Sequence, residues 1–403
     1  MIPSLPKKLP KVFSGTRDFE SLKNERAFQA FDPMILDFLD YLSKKLLTKK
    51  YKDFSDIATF AFFIRKANLS RIKKGYGSSL NSLIGRGLSF HIAPSNVPIN
   101  FAYSLITGLC SGNNCIVRLS SKDFIQNKII TEEINGLLEL KKFKTLNEKI
   151  SIVQYEKDEE INRYFSIITD VRIIWGGDDT INELRKFPIK PKATEVCFPD
   201  RYSICIINSH EYLKENITFK KIAHNFFNDT YFFDQNACSS PRLIFWYGND
   251  KDTKKSKEIF WSHLESFLVE KKYEISSFIS SSKLLSKCMA SIDLDNIQIS
   301  KDSSNLIERI QIDSLHKGLE KYNVPGGLFF EFISEEMLDL KSFVDERLQT
   351  ITTIGMDKNL IKNFVIDHGL KGIDRVVENG RAAEYSFNWD GYDLIFQLTR
   401  KLD

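Results

Sequence analysis

The chain has 403 residues, and at about 150 residues per domain this length predicts two or three domains. Hydrophobic residues make up 42% and charged residues 27%, a balance that excludes a disordered or collagen-like chain. The formal net charge of +4 is too small to indicate a nucleic-acid-binding protein, so none is expected as a partner.

The first part of the chain, residues 1–85, is charged and carries apolar residues at helical spacing, such as Phe31, Ile35 and Phe38. This pattern predicts a helical N-terminal region. No apolar run approaches the roughly 18 residues of a membrane span, and the N-terminus lacks the apolar core of a signal peptide. The six cysteines are scattered and form no CxxC pair, so we expect a reduced, cytoplasmic protein without a metal site.

Beyond residue 86 the pattern changes to short β-rich runs that alternate with helical stretches. This alternation predicts right-handed βαβ units and parallel sheets that bind ligands at the carboxyl ends of their strands. A stretch with two prolines, 191–200, marks the predicted boundary between two such sets. The predicted strands are 88–93, 114–119, 150–154 and 171–175 in the first set, and 202–208, 242–247, 328–333 and 350–354 in the second.

Two prolines bracket Asn96 in the loop that follows the first predicted strand, Pro94-Ser95-Asn96-Val97-Pro98. Because each proline fixes its own φ and restricts the preceding residue, this loop is stiff. A side-chain amide held there can donate a hydrogen bond to a developing oxyanion. The alternative is that Asn96 caps the next helix, and the loop by itself favours the cap.

The second predicted strand ends in Arg118-Leu119-Ser120-Ser121-Lys122. Cations and hydroxyl groups at a strand's carboxyl end suit a phosphate or a ribose. No carboxylate stands there to hold a ribose diol, so the chemistry favours NADP over NAD. The alternative is an ordinary polar helix start.

A glycine pair, Gly176-Gly177, follows the fourth predicted strand and would let the backbone approach a pyrophosphate at the next helix N-terminus, with Asp179 as the helix cap. His91, inside the first strand, is interpreted as a buried core residue. Glu195, at the predicted domain boundary, is a candidate general base, although a surface carboxylate is the commoner case.

Cys238 stands among small and polar residues, Asp234-Gln235-Asn236-Ala237-Cys238-Ser239-Ser240-Pro241, at the entrance to a predicted strand. A thiolate can be reached there, which makes Cys238 a candidate nucleophile. The other cysteines considered, 110, 115, 205 and 288, are expected to be buried and inert.

Taken together, these segments resemble the aldehyde dehydrogenase superfamily, and within it the bacterial luminescence-type fatty acyl-CoA reductase (LuxC) family. The resemblance rests on the 94–98 loop, the strand 112–118, the glycine pair, the block 234–241 and the C-terminal runs 348–350, 372–381 and 389–392. It implies that Asn96 donates to the oxyanion, that Cys238 is the nucleophile and that Glu195 is the general base. Arg118, Ser120, Ser121, Gly176 and Gly177 would bind the cofactor.

The fold that this resemblance implies is α/β and aldehyde dehydrogenase-like, a Rossmann-type cofactor domain with a second α/β catalytic domain. The expected segments are the helical region 1–85 packed on the cofactor domain, the NADP-binding domain 86–198, the catalytic domain 199–370 and a C-terminal segment 371–403.

The implied activity is NADPH-dependent reduction of a fatty acyl thioester, on CoA or on a protein, to a fatty aldehyde through an acyl-enzyme on Cys238. One alternative is oxidation of aldehydes on the same fold, which needs a positioned base. Another is a non-catalytic subunit of an acyl-processing complex. An acyl-activating synthetase and further copies of the chain are the expected protein partners.

Overall fold

The structure, a computed structural model, describes residues 5–214, 218–300 and 304–402. It divides the chain into two units: unit 1 takes in the described residues up to Pro199 together with those from Tyr385 onwards, and unit 2 runs from Asp200 to Glu384. The N-terminal region therefore shares a unit with residues 86–198. The segment 371–403, predicted as one piece, is divided between the two units.

Unit 1 is built around a sheet whose strands alternate with helices. Its elements are β1 (Lys11–Gly15), α1 (Phe19–Asn24), α2 (Pro33–Leu46), α3 (Ser55–Phe63), α4 (Lys66–Gly75), β2 (Leu83–Gly85), β3 (Leu88–Ile92), α5 (Asn100–Cys110), β4 (Asn114–Arg118), α6 (Ile125–Leu138), β5 (Ile150–Gln154), α7 (Glu159–Ile168), β6 (Val171–Trp175), α8 (Asp178–Arg185) and β7 (Thr194–Phe198), with short 3-10 helices at Lys49–Tyr51, Gly77–Ser82 and Lys141–Glu148.

The strand order of this sheet is β1-β5-β4-β3-β6-β7, with β3 to β7 parallel and β1 antiparallel at the edge. This is the doubly wound order of a Rossmann-type domain, in which the chain reverses direction across the sheet beside β3. The strands β3 and β6 are buried at every residue because helices cover both faces of the sheet. The predicted alternation of strands and helices is confirmed.

Two strands of this sheet lie where the sequence predicts none. The strand β1 falls within the N-terminal region predicted to be helical, and it pairs with β5 through a register shift between Val12 and Ser14. The strand β7 lies inside 191–200, which was interpreted only as a boundary, and it pairs with β6. The helices predicted for the N-terminal region are present as α1 to α4.

Unit 2 has a second, largely parallel sheet, of strand order β10-β11-β12-β9-β8-β13-β14. Its elements are β8 (Tyr202–Asn208), α9 (Ser209–Lys214), α10 (Phe219–Asp229), β9 (Pro241–Tyr247), α11 (Asp250–Glu270), α12 (Ser277–Asp293), β10 (Gln298–Ile299), β11 (Glu308–Gln311), β12 (Leu328–Ser334), α13 (Leu340–Phe343), β13 (Leu348–Ile354), α14 (Lys358–His368) and β14 (Arg375–Glu378), with 3-10 helices at Tyr231–Phe233, Leu319–Tyr322 and Met337–Asp339.

Residues from Tyr385 onwards return to unit 1. There they form β15 (Asn388–Trp389), β16 (Tyr392–Asp393), α15 (Leu394–Leu398) and β17 (Thr399–Lys401). The last of these pairs antiparallel with β2. The turn between β15 and β16 is Asp390-Gly391, where both residues have positive φ, as a tight hairpin turn requires.

Among the described residues, no helix combines the length and the apolar character that crossing a bilayer requires. No cluster of three or more His, Cys, Asp or Glu side chains in the described ranges could hold a metal ion.

Candidate active site

The loop that carries Asn96 leaves the carboxyl end of β3, and Asn96 lies exposed in it. The following helix, α5, begins at Asn100, and its N-cap residue Ile99 makes no side-chain capping bond. Ile99, and not Asn96, is therefore the N-cap residue of this helix. The backbone instead closes a turn, in which the amide of Asn100 donates to the carbonyl of Val97 at 3.2 Å.

The register of the strands gathers the predicted cofactor residues of unit 1 at one edge of its sheet. Ile92, the last residue of β3, is paired with Arg118 at the end of β4 and with Ile174 near the end of β6. The segments after these three strands carry Asn96, then Ser120 and Ser121, and then the glycine pair. The strand order reverses between β3 and β6, and ligands of doubly wound sheets bind beside such a reversal.

Arg118 and Ser120 carry hydrogen-bonding atoms with unused capacity at this edge. Arg118 lies 4.5 Å from the ring centre of Tyr155, and one terminal nitrogen, Nη2, donates to the Tyr155 carbonyl at 3.3 Å. Its Nε and the Ser120 hydroxyl are buried, yet neither has a hydrogen-bond partner among the described residues. The Gln154 side-chain amide donates to the Ser120 carbonyl at 2.8 Å, so the backbone at Ser120 is fixed. Buried polar atoms without partners are costly, and here a ligand could satisfy them.

The glycine pair has a packing role at the start of α8. A side chain at position 176 would bring its Cβ within 2.9 Å of Thr180 Cγ2, so Thr180 in the first turn of the helix would have to shift to admit any other residue. Gly177 is the N-cap, and Asp179 lies in the first turn, so the prediction that Asp179 caps the helix is wrong. Asp178 and Asp179 complement the positive end of the helix dipole, and a pyrophosphate at this end would meet like charge.

Glu195 lies near the amino end of β7, about 10 Å of strand before its carboxyl end at Phe198. Its carboxylate accepts from Arg185 Nε and from Arg172 Nε, each at 2.8 Å, and also from Arg172 Nη2. Burial opposes ionisation, but the hydrogen bonds from Arg185 and Arg172 outweigh it and lower the pKa of Glu195. The group is therefore held ionised.

Arg172 connects this pair to the end of α8. Its Nη1 donates to the Ser166 hydroxyl at 3.0 Å and to the carbonyls of Leu184 and Phe187 at 3.0 and 2.8 Å. The side chain is 3% exposed, and every nitrogen of its guanidinium group is used. The cluster of Arg172, Glu195 and Arg185 is thus a structural cluster at the amino edge of the sheet. The general-base role of Glu195 stays a prediction that this geometry does not support.

Cys238 lies half-buried in the loop between the 3-10 helix Tyr231–Phe233 and β9 of unit 2. The Ser203 hydroxyl on β8 donates to the Cys238 carbonyl at 2.7 Å. The Ser203 oxygen in turn accepts from the backbone N–H of Thr350 on β13, at 3.2 Å. These bonds fix the backbone at Cys238 against the middle of the sheet.

Gln235 braces the same loop and was not singled out from the sequence. Its fully buried side chain donates to the carbonyls of Pro241 and Leu328 at 3.0 and 3.3 Å. Its Oε1 accepts from the N–H groups of Gly327 and Leu328 at 2.9 and 3.3 Å. Asp234 and Gln235 both have positive φ, 50° and 61°, which is strained for residues other than glycine. A strained turn held by four side-chain bonds is a rigid support for Cys238.

Arg242, the second residue of β9, places its guanidinium group under this loop. The group donates to the carbonyls of Gln235 and Val324. Nothing near Arg242 in the sequence indicates this role, because only the fold brings Val324 beside it.

The remaining cysteines differ from Cys238 in their surroundings. Cys110, Cys115 and Cys205 are buried, as predicted, and burial raises the pKa of each thiol, to about 12 for Cys115 and Cys205. Burial also raises the pKa of Cys197 to about 12. The prediction for Cys288 is wrong, since it is exposed on α12. The thiols of Cys115, Cys197 and Cys205, whose pKa values are about 12, are almost entirely protonated at neutral pH and are therefore poor nucleophiles.

His91 is a buried core residue, as the sequence analysis held. Its Nδ1 lies 2.7 Å from the Ser104 hydroxyl and its Nε2 lies 2.8 Å from the Ser89 hydroxyl. Trp175 Nε1 also donates to the Ser104 oxygen, at 2.9 Å. Complete burial lowers the pKa of His91 to about 3, so the ring stays neutral. It therefore does not gain a proton or change its charge near neutral pH.

Comparison with known proteins gives a family match that includes residues of both units. The model of the family described as acyl-CoA reductase (LuxC) matches residues 65–290, which is more than half of the chain. The matched region includes Asn96, the 118–121 segment and Cys238. It ends within α12, before the last strands of unit 2.

Among relatives, a long-chain acyl-protein thioester reductase of Aliivibrio fischeri is 26% identical over 168 residues, 41% of this chain and 33% of that protein. The protein of the same name from Vibrio harveyi is 22% identical over 300 residues, 73% of this chain and 59% of its own length. The matched part of the chain thus spans about a third of the Aliivibrio relative and less than two thirds of the Vibrio relative.

Solved structures support the fold. A lactaldehyde dehydrogenase superposes with a TM-score of 0.65 at 9% identity, covering 95% of this chain and 89% of that one. The glyceraldehyde-3-phosphate dehydrogenase GapN of Methanocaldococcus jannaschii gives a TM-score of 0.60 at 12% identity, covering 94% and 90%. The fold is therefore aldehyde dehydrogenase-like, and the chain belongs to the acyl-CoA reductase (LuxC) family.

Proposed function

We propose that this protein reduces a long-chain fatty acyl thioester to the fatty aldehyde with NADPH, through an acyl-enzyme on Cys238. The observation that carries the proposal is the setting of Cys238, a half-buried thiol on a rigid loop, whereas Cys110, Cys115 and Cys205 are fully enclosed. The names of the relatives supply the substrate class. Both CoA and a carrier protein remain candidates for the thiol half of the substrate.

The first step is acyl transfer to Cys238. Its thiolate attacks the thioester carbonyl carbon, a new C–S bond forms, and the carbonyl oxygen takes the negative charge. The Asn96 amide and the backbone N–H of Cys238 would donate to this oxyanion. Collapse of the tetrahedral intermediate expels the donor thiolate and leaves the acyl group on sulfur. Loss of one such donor raises a barrier by about 2.7–4 kcal/mol.

The residues present fit a dinucleotide with a phosphate on its adenosine ribose. The buried Arg118 Nε and Ser120 hydroxyl have unused hydrogen-bonding capacity at the carboxyl edge of the sheet, and no carboxylate occurs from 118 to 122. Arg118, Ser120 and Ser121 would hold the adenosine end. Gly176 and Gly177 keep the place proposed for them beside the pyrophosphate, where Asp178 and Asp179 oppose its charge and the glycine backbone would have to supply the contacts. NADPH, when bound, supplies the hydride that takes the acyl group to the aldehyde level. The Cys238 sulfur then leaves as thiolate when the aldehyde is released.

Aldehyde oxidation, the rival activity on this fold, needs a base to activate water. Glu195 was the candidate, and its carboxylate is engaged by Arg172 and Arg185. Reduction of a thioester needs no activated water, so the ion-paired Glu195 is compatible with it. This contrast favours the reductive direction.

The test incubates the purified protein with acyl-CoAs of several chain lengths and NADPH, while absorbance of the reduced nicotinamide and intact mass are followed. A mass increase equal to the acyl group is expected on the wild type but not on C238A, together with NADPH consumption and aldehyde. C205A serves as the matched control, because Cys205 is buried in the same unit and should not be acylated. An acyl-carrier-protein thioester in parallel distinguishes the two donors. Absence of both adduct and NADPH consumption with every donor would refute the reductase activity.

Cofactor choice has its own test at Ser121. This side chain is exposed just beyond β4, and a carboxylate there would repel a 2′-phosphate. We expect S121E to weaken NADPH binding more than NADH binding in fluorescence titrations, with S121N as the uncharged control. Equal effects on the two cofactors would show that Ser121 does not face the 2′-phosphate.

The expected partners and location are further proposals. An acyl-activating synthetase would supply the thioester, and self-association would give an oligomer of identical chains. Co-purification with the enzyme that forms the acyl thioester, and light scattering of the pure protein, test these two expectations. The cytoplasmic location stays a prediction from composition.

A further inference from the structure

Arg242 carries a positive charge that no carboxylate within the described part of the chain balances. Its guanidinium group donates to the main-chain carbonyls of Gln235 and Val324, both of them neutral acceptors. Among the residues that the structure describes, no carboxylate forms an ion pair with it. Arg201 and Arg347, in the same unit, pair with Asp374 and Glu320. A desolvated cation without a counter-ion is costly unless something else supplies negative charge.

Cys238 lies within the segment 235–242 that the Arg242 side chain closes by donating to the Gln235 carbonyl, so a thiolate there would supply the negative charge. Burial lowers the pKa of Arg242 to about 10, a value that already includes the smaller, opposing effect of Cys238, which raises it. Electrostatic coupling between two groups is reciprocal, so the guanidinium stabilises the Cys238 thiolate by the same free energy. At neutral pH Arg242 is still fully charged, because its pKa lies well above 7.

Other elements around the loop offer little competing charge. Asp234 accepts a hydrogen bond from the Tyr273 hydroxyl at 2.7 Å, and Lys283 on α12 donates to the carbonyls of Gly326 and Asn305. The residues of β12 and β13 that bond to the loop or its supports, Leu328 and Thr350, do not titrate. Asp229 at the end of α10, Tyr231 in the preceding turn and Cys205 on β8 are further titratable groups on the neighbouring elements.

We propose that Arg242 is a positioning residue whose guanidinium group keeps Cys238 in the thiolate form at neutral pH. The inference deepens the proposed function and rests on it for its importance, because only a nucleophilic Cys238 needs such help. The same side chain donates to the Gln235 carbonyl, so Arg242 both holds the loop and favours the ionised form of the Cys238 thiol. A cysteine beside an arginine is commonly a thiolate at pH values where a free thiol is protonated.

The test is the pH dependence of Cys238 alkylation by iodoacetamide in the full-length protein without substrate. Peptide mass spectrometry resolves each cysteine, and exposed Cys288 serves as the internal reference. Half-maximal alkylation of Cys238 is expected below about 8.5, the pKa of a free cysteine. In R242Q the profile should move upwards, with alkylation at pH 7 slower by about tenfold or more, because each pKa unit changes the thiolate fraction tenfold.

R242K is the matched control, since it keeps the charge and loses the forked hydrogen bonds. We expect it to retain most of the wild-type profile, whereas a purely structural role of Arg242 predicts that R242K and R242Q behave alike. Thermal melting establishes that each variant is folded. A folded R242Q with the wild-type profile would overturn the proposal, and so would a wild-type Cys238 that titrates at or above about 8.5, whether or not R242Q folds.

No acyl donor enters this experiment, so its outcome is separate from that of the reductase assay. A low-pKa Cys238 in a protein that neither accepts acyl groups nor consumes NADPH would refute the proposed function and leave the Arg242 assignment standing. Acylation of Cys238, together with an alkylation profile that is the same in R242Q and in the wild type, would support the proposed function and refute the Arg242 assignment.

Discussion

Arg118 and Arg172 lie in the same sheet and are used in opposite ways. Arg172, near the amino end of β6, donates to Glu195, to Ser166 and to the last carbonyls of α8, so that every nitrogen is occupied. Arg118, at the carboxyl end of β4, is buried at Nε without a partner among the described residues. The nearby Ser120 hydroxyl is likewise buried without a hydrogen-bond partner among the described residues.

This difference shows how structural polar groups can be told from ligand-binding ones. A buried cation with all its donors satisfied stabilises the fold and has nothing left for a ligand. A buried donor left unpaired costs about 1–3 kcal/mol, which the protein recovers only when a ligand arrives. The amino ends and the carboxyl ends of the strands therefore have different roles, and substitutions at each end should separate effects on stability from effects on binding.

The largest expected effect on stability is that of R172L. It would leave the partly buried Glu195 carboxylate with only Arg185 and would remove the donor to the carbonyls of Leu184 and Phe187. Removal of one partner of a buried ion pair typically lowers the free energy of unfolding by about 3–5 kcal/mol. Urea unfolding followed by circular dichroism measures it, with R118L as the matched control in the same sheet. Similar losses of unfolding free energy in R172L and R118L would contradict the difference in role between the amino and carboxyl ends of the strands.

E195Q should destabilise less, by about 1–3 kcal/mol, because the amide keeps an oxygen acceptor for one of the two arginines. The lowered pKa of Glu195 means that its contribution to stability is full above the unfolded pKa near 4.3 and fades as the pH falls through the lower folded pKa. The gap in unfolding free energy between wild type and E195Q should therefore narrow in acid.

The same variant separates the two roles proposed for Glu195. If it is structural, turnover per folded molecule is unchanged in E195Q. If it is a general base, turnover falls by about 10² to 10⁴-fold. Active-site titration of Cys238 by acyl adduct supplies the concentration of folded enzyme for this comparison.

R118L should act on cofactor binding. Loss of a charged hydrogen-bond donor costs about 1.5–3 kcal/mol of binding, so the NADPH dissociation constant should rise by roughly tenfold or more. Loss of the contact with the Tyr155 ring should lower stability by only about 0.5–1 kcal/mol. Fluorescence titration with NADPH measures the first effect and urea unfolding the second. Unchanged NADPH binding would remove Arg118 from the cofactor site.

The smallest expected change is that of S120A. A neutral hydrogen bond contributes about 0.5–1.5 kcal/mol, so NADPH binding should weaken by about two- to tenfold. Stability should not fall, because the Ser120 hydroxyl has no partner within the described chain to lose. A clear loss of stability would mean that this hydroxyl serves the fold after all.

Much of the fold could be predicted because buried parallel strands are continuous apolar runs. The strands β5, β6 and β8 have the bounds predicted for them, and β3 and β4 end one residue earlier. The edge strands β1 and β7 were not predicted. Lys11–Gly15 is mostly half-exposed, and Thr194–Phe198 lies among prolines, so neither shows the apolar pattern of a central strand.

The supports of the candidate nucleophile could not be predicted in the same way. Cys238 was selected from its small polar neighbours, and the loop around it is indeed accessible in part. Gln235 and Arg242 were not, because their partners at Val324, Gly327 and Leu328 lie more than 80 residues away along the chain. Glu195 was selected for its carboxylate alone, and nothing nearby in the sequence shows that Arg172 and Arg185 would engage it.

The amino-acid order by itself determined the alternation of strands and helices and the residue types that follow each strand. Only the tertiary structure decided which of those polar groups are satisfied internally and which keep capacity for a ligand. The physical reason is that charge compensation and hydrogen bonding act through space over a few ångströms, whereas the groups that supply them here are tens of residues apart in the chain.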